Sequence, residues 1–587
     1  MDRLITILKR YLSKLDWKSG LFFLAIAIGI FLRVWHFSDW LFFKLDQARD
    51  SFLVLQAYER GMGYLPLLGA RAGGTSLLLG PAYYYFQYIS LALTHNIHPT
   101  AFAYPDLFFS ILAIPLFYLF LKKYFNRDWS LILASVLAVC FFAIEYSRFA
   151  WNPNPLPFFT VLYFYALLNI FDEKITRKML WFAIAAISLA IASQLHFLAF
   201  LALPAITVLF ALFQWKEAKK YISLKKLAVF FGIFLFVYLP WILNDSQTHW
   251  KNSRLFWKAV LTKLFSATLL TDIISGLNYF GQDWLTILTG YVANGKLFYV
   301  TLFGRYMVIN KTLLIALGIW IVFVVPSIFI NWKLFRQEKD PMRKKFLLLV
   351  LLWFLVFFIV YIPIGGQLRP RFFMATLVLP IIYLGFDLTW LKKILGKIWL
   401  PAAAGILAVV FAGNLAGTYL WFQEIKATQT KDRVNVKRTF IFKGDDGVVL
   451  WHIDKSAQYM VADCSGKKIY YASYPIYLKS LDYMLRLSGA NNITPPDQSQ
   501  PFDQSACFFA VAHTTNGLSG MKSNVSDNYS IVKKQNFGIL SVYRLAPKDG
   551  ATLKGFYNTT DDEVTQETRA SRLLWRDFLT GKRSTRK

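Results

Sequence analysis

Asp46, Gln47, Arg49 and Asp50 stand together in the run KLDQARD, directly behind the apolar stretch LFFLAIAIGIFLRVWHFSDWLFF that begins at Leu21. A helix of about 20 apolar residues crosses a bilayer, so this cluster falls where the chain leaves the lipid. Carboxylates and a guanidinium at that depth are costly unless they have a partner or a function. The chemical reading is an active-site carboxylate facing a lipid-borne substrate. The plain alternative is a helix N-cap at Asp50-Ser51 with an ordinary interfacial salt bridge.

Further polar residues map to the same side of the membrane. They are Arg148, Asn152 and Asn154 in YSRFAWNPNP, Gln194 and His196 in SQLHF, and Gln367, Arg369 and Arg371 in GGQLRPRF. Each set has a plain role as well. Asn152-Pro153-Asn154-Pro155 makes a good turn on its own. Arg369 and Arg371 can snorkel to headgroups, and His196 can be a satisfied loop histidine. Taken together, a carboxylate at a helix exit and arginines on neighbouring loops suit one reaction class. Arginines can hold the phosphate of a polyprenyl-phosphate sugar and stabilise it as it leaves. The carboxylate can deprotonate an acceptor hydroxyl. That chemistry needs no nucleotide site, and the sequence contains no phosphate loop, GxGxxG or zinc spacing.

The elements that must position these residues are membrane helices. The 587 residues are 56% hydrophobic and 18% aromatic, with mean hydropathy +0.42, more apolar surface than a soluble fold can hide. The net charge of +30 gathers in alternate gaps between apolar runs, as at Lys122-Lys123, 216–226 and 333–345. That is the positive-inside pattern, so the charge sets topology and implies no nucleic acid. It predicts a multi-pass protein of the plasma or inner membrane with about eleven spans and a cytoplasmic N-terminus. The first external loop, 41–105, is expected to hold an interfacial helix over Asp50–Arg60 and a juxtamembrane helix over Pro81–Leu93. A second external segment, 244–310, is expected to carry interfacial helices.

The expected domains are 1–420 in the membrane, 421–555 as an extracytoplasmic α/β or mainly β domain, and 556–587 as a charged, disordered tail. Cys140 reads as packing, whereas Cys464 and Cys507 can bridge if their domain lies outside the cytoplasm. Asn492, Asn524, Asn528 and Asn558 head N-x-S/T sequons, meaningful only in a host that glycosylates.

Asp46-Gln47-Ala48-Arg49 resembles the D-E-x-R motif of GT-C glycosyltransferases of family 39, the protein O-mannosyltransferase and aminoarabinose-transferase group with its RgtA/B/C/D-like bacterial branch. Leu79-Gly80-Pro81-Ala82-Tyr83-Tyr84 is similar to that family's "PPL-Y" helix start. The Asn-Pro-rich second loop and the Arg-rich loop before Pro380 extend the likeness. The resemblance implies a GT-C-like, mainly α bundle with juxtamembrane helices, and an inverting transfer with Asp46 as general base. It makes Arg49 a neighbouring structural or phosphate-side contact, and the polar residues that converge on the same face, Gln47, Arg49, Asp50, Arg148, Asn152, Asn154, Gln194, His196, Arg369 and Arg371, are the expected substrate-binding set. The partners would be a polyprenyl-phosphate sugar donor, a lipid, glycan or protein acceptor, and the bilayer. Gln47 stands where the family has a second acid, Asn152 or Asn154 where it has an acid in the second outer loop, and no lysine precedes Pro81. These departures leave one base, with no cofactor and no required metal expected.

Two other readings compete. A flippase of lipid-linked glycans should carry ionisable groups near the midplane, whereas these spans are charged mainly at their ends. A non-catalytic envelope glycan-binding protein would use the C-terminal domain as its binding module.

Overall fold

A computed structural model describes residues 16–72, 77–264, 269–292, 297–302, 305–439, 447–490, 503, 505–520, 525–551 and 572–581. The basic residues before Asp16, three sequons (Asn492, Asn524, Asn558) and most of the expected tail lie outside these residues. Helix α1 (Trp17–Val34) is capped by Asp16, whose carboxylate accepts from Ser19 N at 3.0 Å and from Arg127 Nη1 at 2.8 Å. It leads to α2 (Leu45–Arg60) and α3 (Ala82–Thr94) in the first loop, then to α4 (Pro99–Leu121). Next come α5 (Arg127–Val139), α6 (Phe141–Tyr146), α7 (Leu156–Ile170), α8 (Lys178–Leu195), α9 (Phe197–Phe213), α10 (Trp215–Tyr221) and α11 (Leu224–Gln247). After α12 (Lys251–Leu264) and α13 (Leu269–Thr289), strands β1 (Leu297–Leu302) and β2 (Arg305–Asn310) form an antiparallel hairpin. Helices α14 (Lys311–Ile319), α15 (Val325–Gln337), α16 (Pro341–Tyr361), α17 (Leu379–Leu395) and α18 (Trp399–Thr430) complete the membrane part.

Helices occupy every apolar segment expected to span, but about eleven spans are not confirmed. Among the described residues, 7 runs are long and apolar enough to cross, or 8 if the pair α9–α10, bent by 101°, is one span. The shortfall has physical causes. Helix α7 has 15 residues, and the apolar run 130–144 is broken at Cys140 into α5 and α6. The 52-residue run Leu379–Thr430 turns back at Gly396 (φ 52°). There the Trp399 indole donates to the Leu388 carbonyl at 2.7 Å, a contact that a continuous helix, rising about 1.5 Å per residue, cannot make.

Helix α13 corrects another expectation. Its described side chains Phe280 and Trp284 are buried, packing against Phe354 and Tyr383 at ring distances of 5.4 and 5.5 Å. Asn414 of α18 donates to the Leu288 carbonyl at 2.9 Å. This segment is core, not an interfacial cover. Helix α1 packs as closely against α5: a Cβ on Gly29 would stand 2.4 Å from the Ala138 carbonyl oxygen, so only glycine allows the two backbones to meet there.

Helix α18 runs past residue 420 to Thr430, burying Trp421, Phe422 and Ile425 with Trp40 and Phe141. The C-terminal domain that follows is α/β. Helices α19 (Leu450–Cys464) and α20 (Pro475–Leu487) accompany β3 (Ile469–Ser473), β4 (Cys507–His513), β5 (Tyr529–Phe537) and β6 (Leu540–Pro547) in a mixed sheet of order β3-β4-β6-β5. Cys464 and Cys507 are disulfide-bonded. The domain sits on the first loop: Tyr483 of α20 donates to the Ile97 carbonyl at 2.6 Å and packs edge-on against Phe52 and Phe43. Residues 572–581, expected as disordered tail, instead include the helix α21 (Trp575–Thr580) packed against that same loop. Trp575, Leu574 and Leu573 supply the apolar and backbone contacts that hold it there.

Candidate functional site

Helix α2 buries Gln47, Ala48, Asp50, Ser51, Val54 and Ala57, one stripe of helical period. Asp46, Arg49 and Asp50 lie three and four residues apart, so their side chains meet at the edge of that stripe. Arg49 holds both acids: Nη1 donates to Asp46 Oδ1 at 2.8 Å, and Nε donates to Asp50 Oδ1 at 2.8 Å. Burial opposes the Arg49 charge, but Asp50 and then Asp46 outweigh it and raise the guanidinium well above its ordinary value. Asp50 is buried and also accepts from the Tyr84 hydroxyl at 2.9 Å. The Asp46 side chain is 38% exposed, and its Oδ2 has no partner among the described residues. Gln47 reaches back along the helix, its Oε1 accepting from Lys44 N at 3.4 Å.

The turn after α16 supplies the facing positive charge. Arg371 lies over the Trp151 ring at 5.1 Å and has no hydrogen bond or ion pair among the described residues. Burial lowers its pKa, while Tyr146 and Asp46 act against that effect; Asp46 is thus within electrostatic reach of it. Arg369 is engaged, its Nη1 donating to the Leu368 carbonyl at 2.6 Å and to Tyr279 Oη at 3.3 Å. His196 packs edge-on to Phe372 at 5.1 Å. Its Nδ1 accepts from Leu198 N at 3.3 Å, capping α9. Burial, with Arg371 adding to it, pushes His196 down to about 3, so the imidazole is neutral at any ordinary pH.

The other expected residues serve the scaffold. Arg148 is 1% exposed and donates to the carbonyls of Leu32, Arg33 and Trp35 at 2.9, 2.8 and 2.7 Å. These are the orphan acceptors at the end of α1, so Arg148 fixes the exit of the helix that leads to Asp46. Asn152 donates to the Leu195 carbonyl at 2.6 Å and Asn154 to the Phe149 carbonyl at 2.8 Å. Gln194 Oε1 accepts from Ala82 N at 3.2 Å, fixing the start of α3, while Nε2 donates to the Val237 carbonyl at 3.1 Å. A Cβ on Gly80 would stand 2.2 Å from Gln194 Cγ, so that approach requires glycine. The Arg148→Ala variant is expected to lose about 3–5 kcal/mol, because a buried side chain and three carbonyls lose their partners together. Thermal unfolding of the purified protein measures it.

Four neighbours were not among the residues expected from the sequence. Tyr83 donates to Asp106 Oδ2 at 2.7 Å, next to the Tyr84–Asp50 bond. Arg33 donates to Ser110 Oγ at 3.0 Å and to the Ala138 carbonyl at 2.6 Å, joining α1, α4 and α5. A lone carboxylate and a lone guanidinium inside apolar helices are signals that could have found Asp106 and Arg33; Tyr83 and Tyr84 carry no such mark.

Residues 55–249 match the family model described as dolichyl-phosphate-mannose-protein mannosyltransferase; the match begins beyond Asp46. No curated protein matches the sequence. The fold is similar to that of ArnT from Cupriavidus metallidurans bound to undecaprenyl phosphate, with TM-score 0.53 and 11% identity over 90% of this chain and 98% of that one. The apo state of the same protein gives 0.51 at 11% identity, with the same coverage. An Archaeoglobus fulgidus oligosaccharyltransferase tethered to an acceptor peptide gives 0.47 at 12% identity, over 91% of this chain and 74% of that one. This chain is a multi-pass membrane protein whose fold is similar to that of ArnT, and over residues 55–249 its sequence is similar to the dolichyl-phosphate-mannose-protein mannosyltransferases.

Proposed function

We propose that the chain is an inverting glycosyltransferase of the plasma or inner membrane. It transfers a sugar from a polyprenyl-phosphate donor to an acceptor hydroxyl on the extracytoplasmic face. One observation carries the reading: a carboxylate with a free oxygen, Asp46, lies within electrostatic reach of Arg371, a guanidinium without a hydrogen-bond partner. The similarity to the mannosyltransferase family over 55–249 and the fold shared with ArnT support it.

In this reading Asp46 Oδ2 takes the proton of the acceptor hydroxyl while Oδ1 stays on Arg49. The acceptor oxygen bonds to the anomeric carbon as the bond from that carbon to the phosphate oxygen breaks. The polyprenyl phosphate departs with its new negative charge against Arg371. Attack opposite the leaving group inverts the anomeric configuration. The guanidinium supplies the positive charge, so transfer is expected without added metal. The basic residues in alternate loops support an N-terminus in the cytoplasm and the Asp46 site on the opposite face; the Cys464–Cys507 bridge suits that compartment.

The test is transfer from labelled polyprenyl-phosphate sugars by the protein in lipid nanodiscs, with and without a chelator. Label appearing in an acceptor, at the same rate in both samples, is the expected result. No transfer in nanodiscs, together with label that crosses the bilayer of vesicles carrying the protein while still attached to its lipid, would replace the reading with transport.

A further inference from the structure

The chain returns to its own first loop at its far end. Leu67 N donates to the Leu573 carbonyl at 2.8 Å, Trp575 N donates to the Leu65 carbonyl at 3.1 Å, and Pro66 and Leu574 form an antiparallel bridge. Leu573 N donates to Asn244 Oδ1 at 2.9 Å, and the Trp575 indole donates to the Tyr85 hydroxyl at 2.8 Å. Arg576 lies over the Tyr64 ring at 4.1 Å. Backbone pairing, an indole hydrogen bond and a cation–π contact together make this a seated strap.

The strap brings in Arg572, which is 6% exposed. Its Nη2 donates to the Gly69 carbonyl at 2.7 Å, and its guanidinium stands 5.6 Å from the centroid of the Tyr84 ring. Its Nε is buried without a partner. A buried guanidinium is costly to desolvate unless nearby negative charge offsets it. That charge is present: Asp46 and Asp50 face Arg49 alone on α2, and Asp50 is bonded to Tyr84. The other titratable and charged groups facing this pair are Tyr83 from α3, which is bonded to Asp106 of α4, and Arg371 from the turn after α16.

We infer that the strap belongs to the reaction site, and that Arg572 is a positioning residue. Resting on Tyr84, it holds the Tyr84–Asp50–Arg49 chain in the arrangement that presents Asp46. This rests on the glycosyltransferase reading given above.

The experiment compares the full-length wild type with R572A, R572K and W575A in nanodiscs. It follows kcat and donor KM across pH, together with amide exchange over residues 45–60. R572A is expected to lower kcat about 10- to 100-fold with little change in donor KM. Losing the cation favours protonated carboxylates, so the acid limb of its rate profile moves to higher pH. R572K, which keeps the charge, is expected to keep the limb near its wild-type position. Equal losses in R572A and W575A at every pH, with an unmoved limb, would reduce the strap to a structural brace and overturn the inference. A wild type that transfers from no polyprenyl-phosphate donor would instead defeat the functional reading. In that case exchange decides: faster exchange in the first turn of α2 in R572A, at unchanged unfolding temperature, upholds the coupling, and unchanged exchange overturns it.

Discussion

The Asp46→Asn variant is expected to transfer sugar about 10²- to 10⁴-fold more slowly than wild type, the range that one general base contributes. Asparagine keeps the volume and leaves an oxygen for Arg49, which donates to Oδ1 at 2.8 Å. It cannot take a proton. Asp50 does not stand in for it, being buried and engaged by both Arg49 and Tyr84. The loss should therefore fall on the rate at saturating donor, with donor affinity nearly unchanged. A variant that turns over at the wild-type rate would assign proton transfer elsewhere.

Arg371→Ala is the second large effect. Removing one pre-positioned donor from a site of developing charge costs about 10²- to 10³-fold in rate, and here the donor has no protein partner to compensate. It lies against Trp151, which orients it and keeps water from one face. Lysine should restore only part of the rate, since an ammonium is a point charge without the planar fork that grips two phosphate oxygens. Steady-state kinetics on R371A and R371K measure both effects. Near-normal rates in R371A would take the phosphate away from this turn.

The membrane architecture was legible where composition changes abruptly. The apolar run ahead of KLDQARD marked α1 and Pro81 marked α3, whereas the helix expected from Asp50 begins at Leu45, so that Asp46 and Arg49 stand on α2 itself. Residues of the right type in the right loop were harder to sort. Arg148 and Arg371 look alike in sequence, yet Arg148 is consumed by three carbonyls at the end of α1 while Arg371 has none. Which guanidinium stays free depends on how loops meet a helix end, and spacing alone does not encode that. Asp106 stands in sequence at the edge of the apolar run 107–121, but α4 begins at Pro99 and buries it against Tyr83. Arg572 lies beyond sequence reasoning altogether, because its partner Gly69 is 503 residues away. The count of about eleven spans is not confirmed: hydropathy does not see the break at Cys140, whereas the fold-back at Gly396 divides the run 379–430 into two helices.

One measurement tests the central claim most directly: a single turnover of labelled polyprenyl-phosphate sugar bound in advance to wild type and to D46N. The account predicts that wild type releases the sugar to the acceptor hydroxyl with inverted configuration, while D46N holds the donor bound and intact. Retention of configuration, or release by D46N at the wild-type rate, would contradict it.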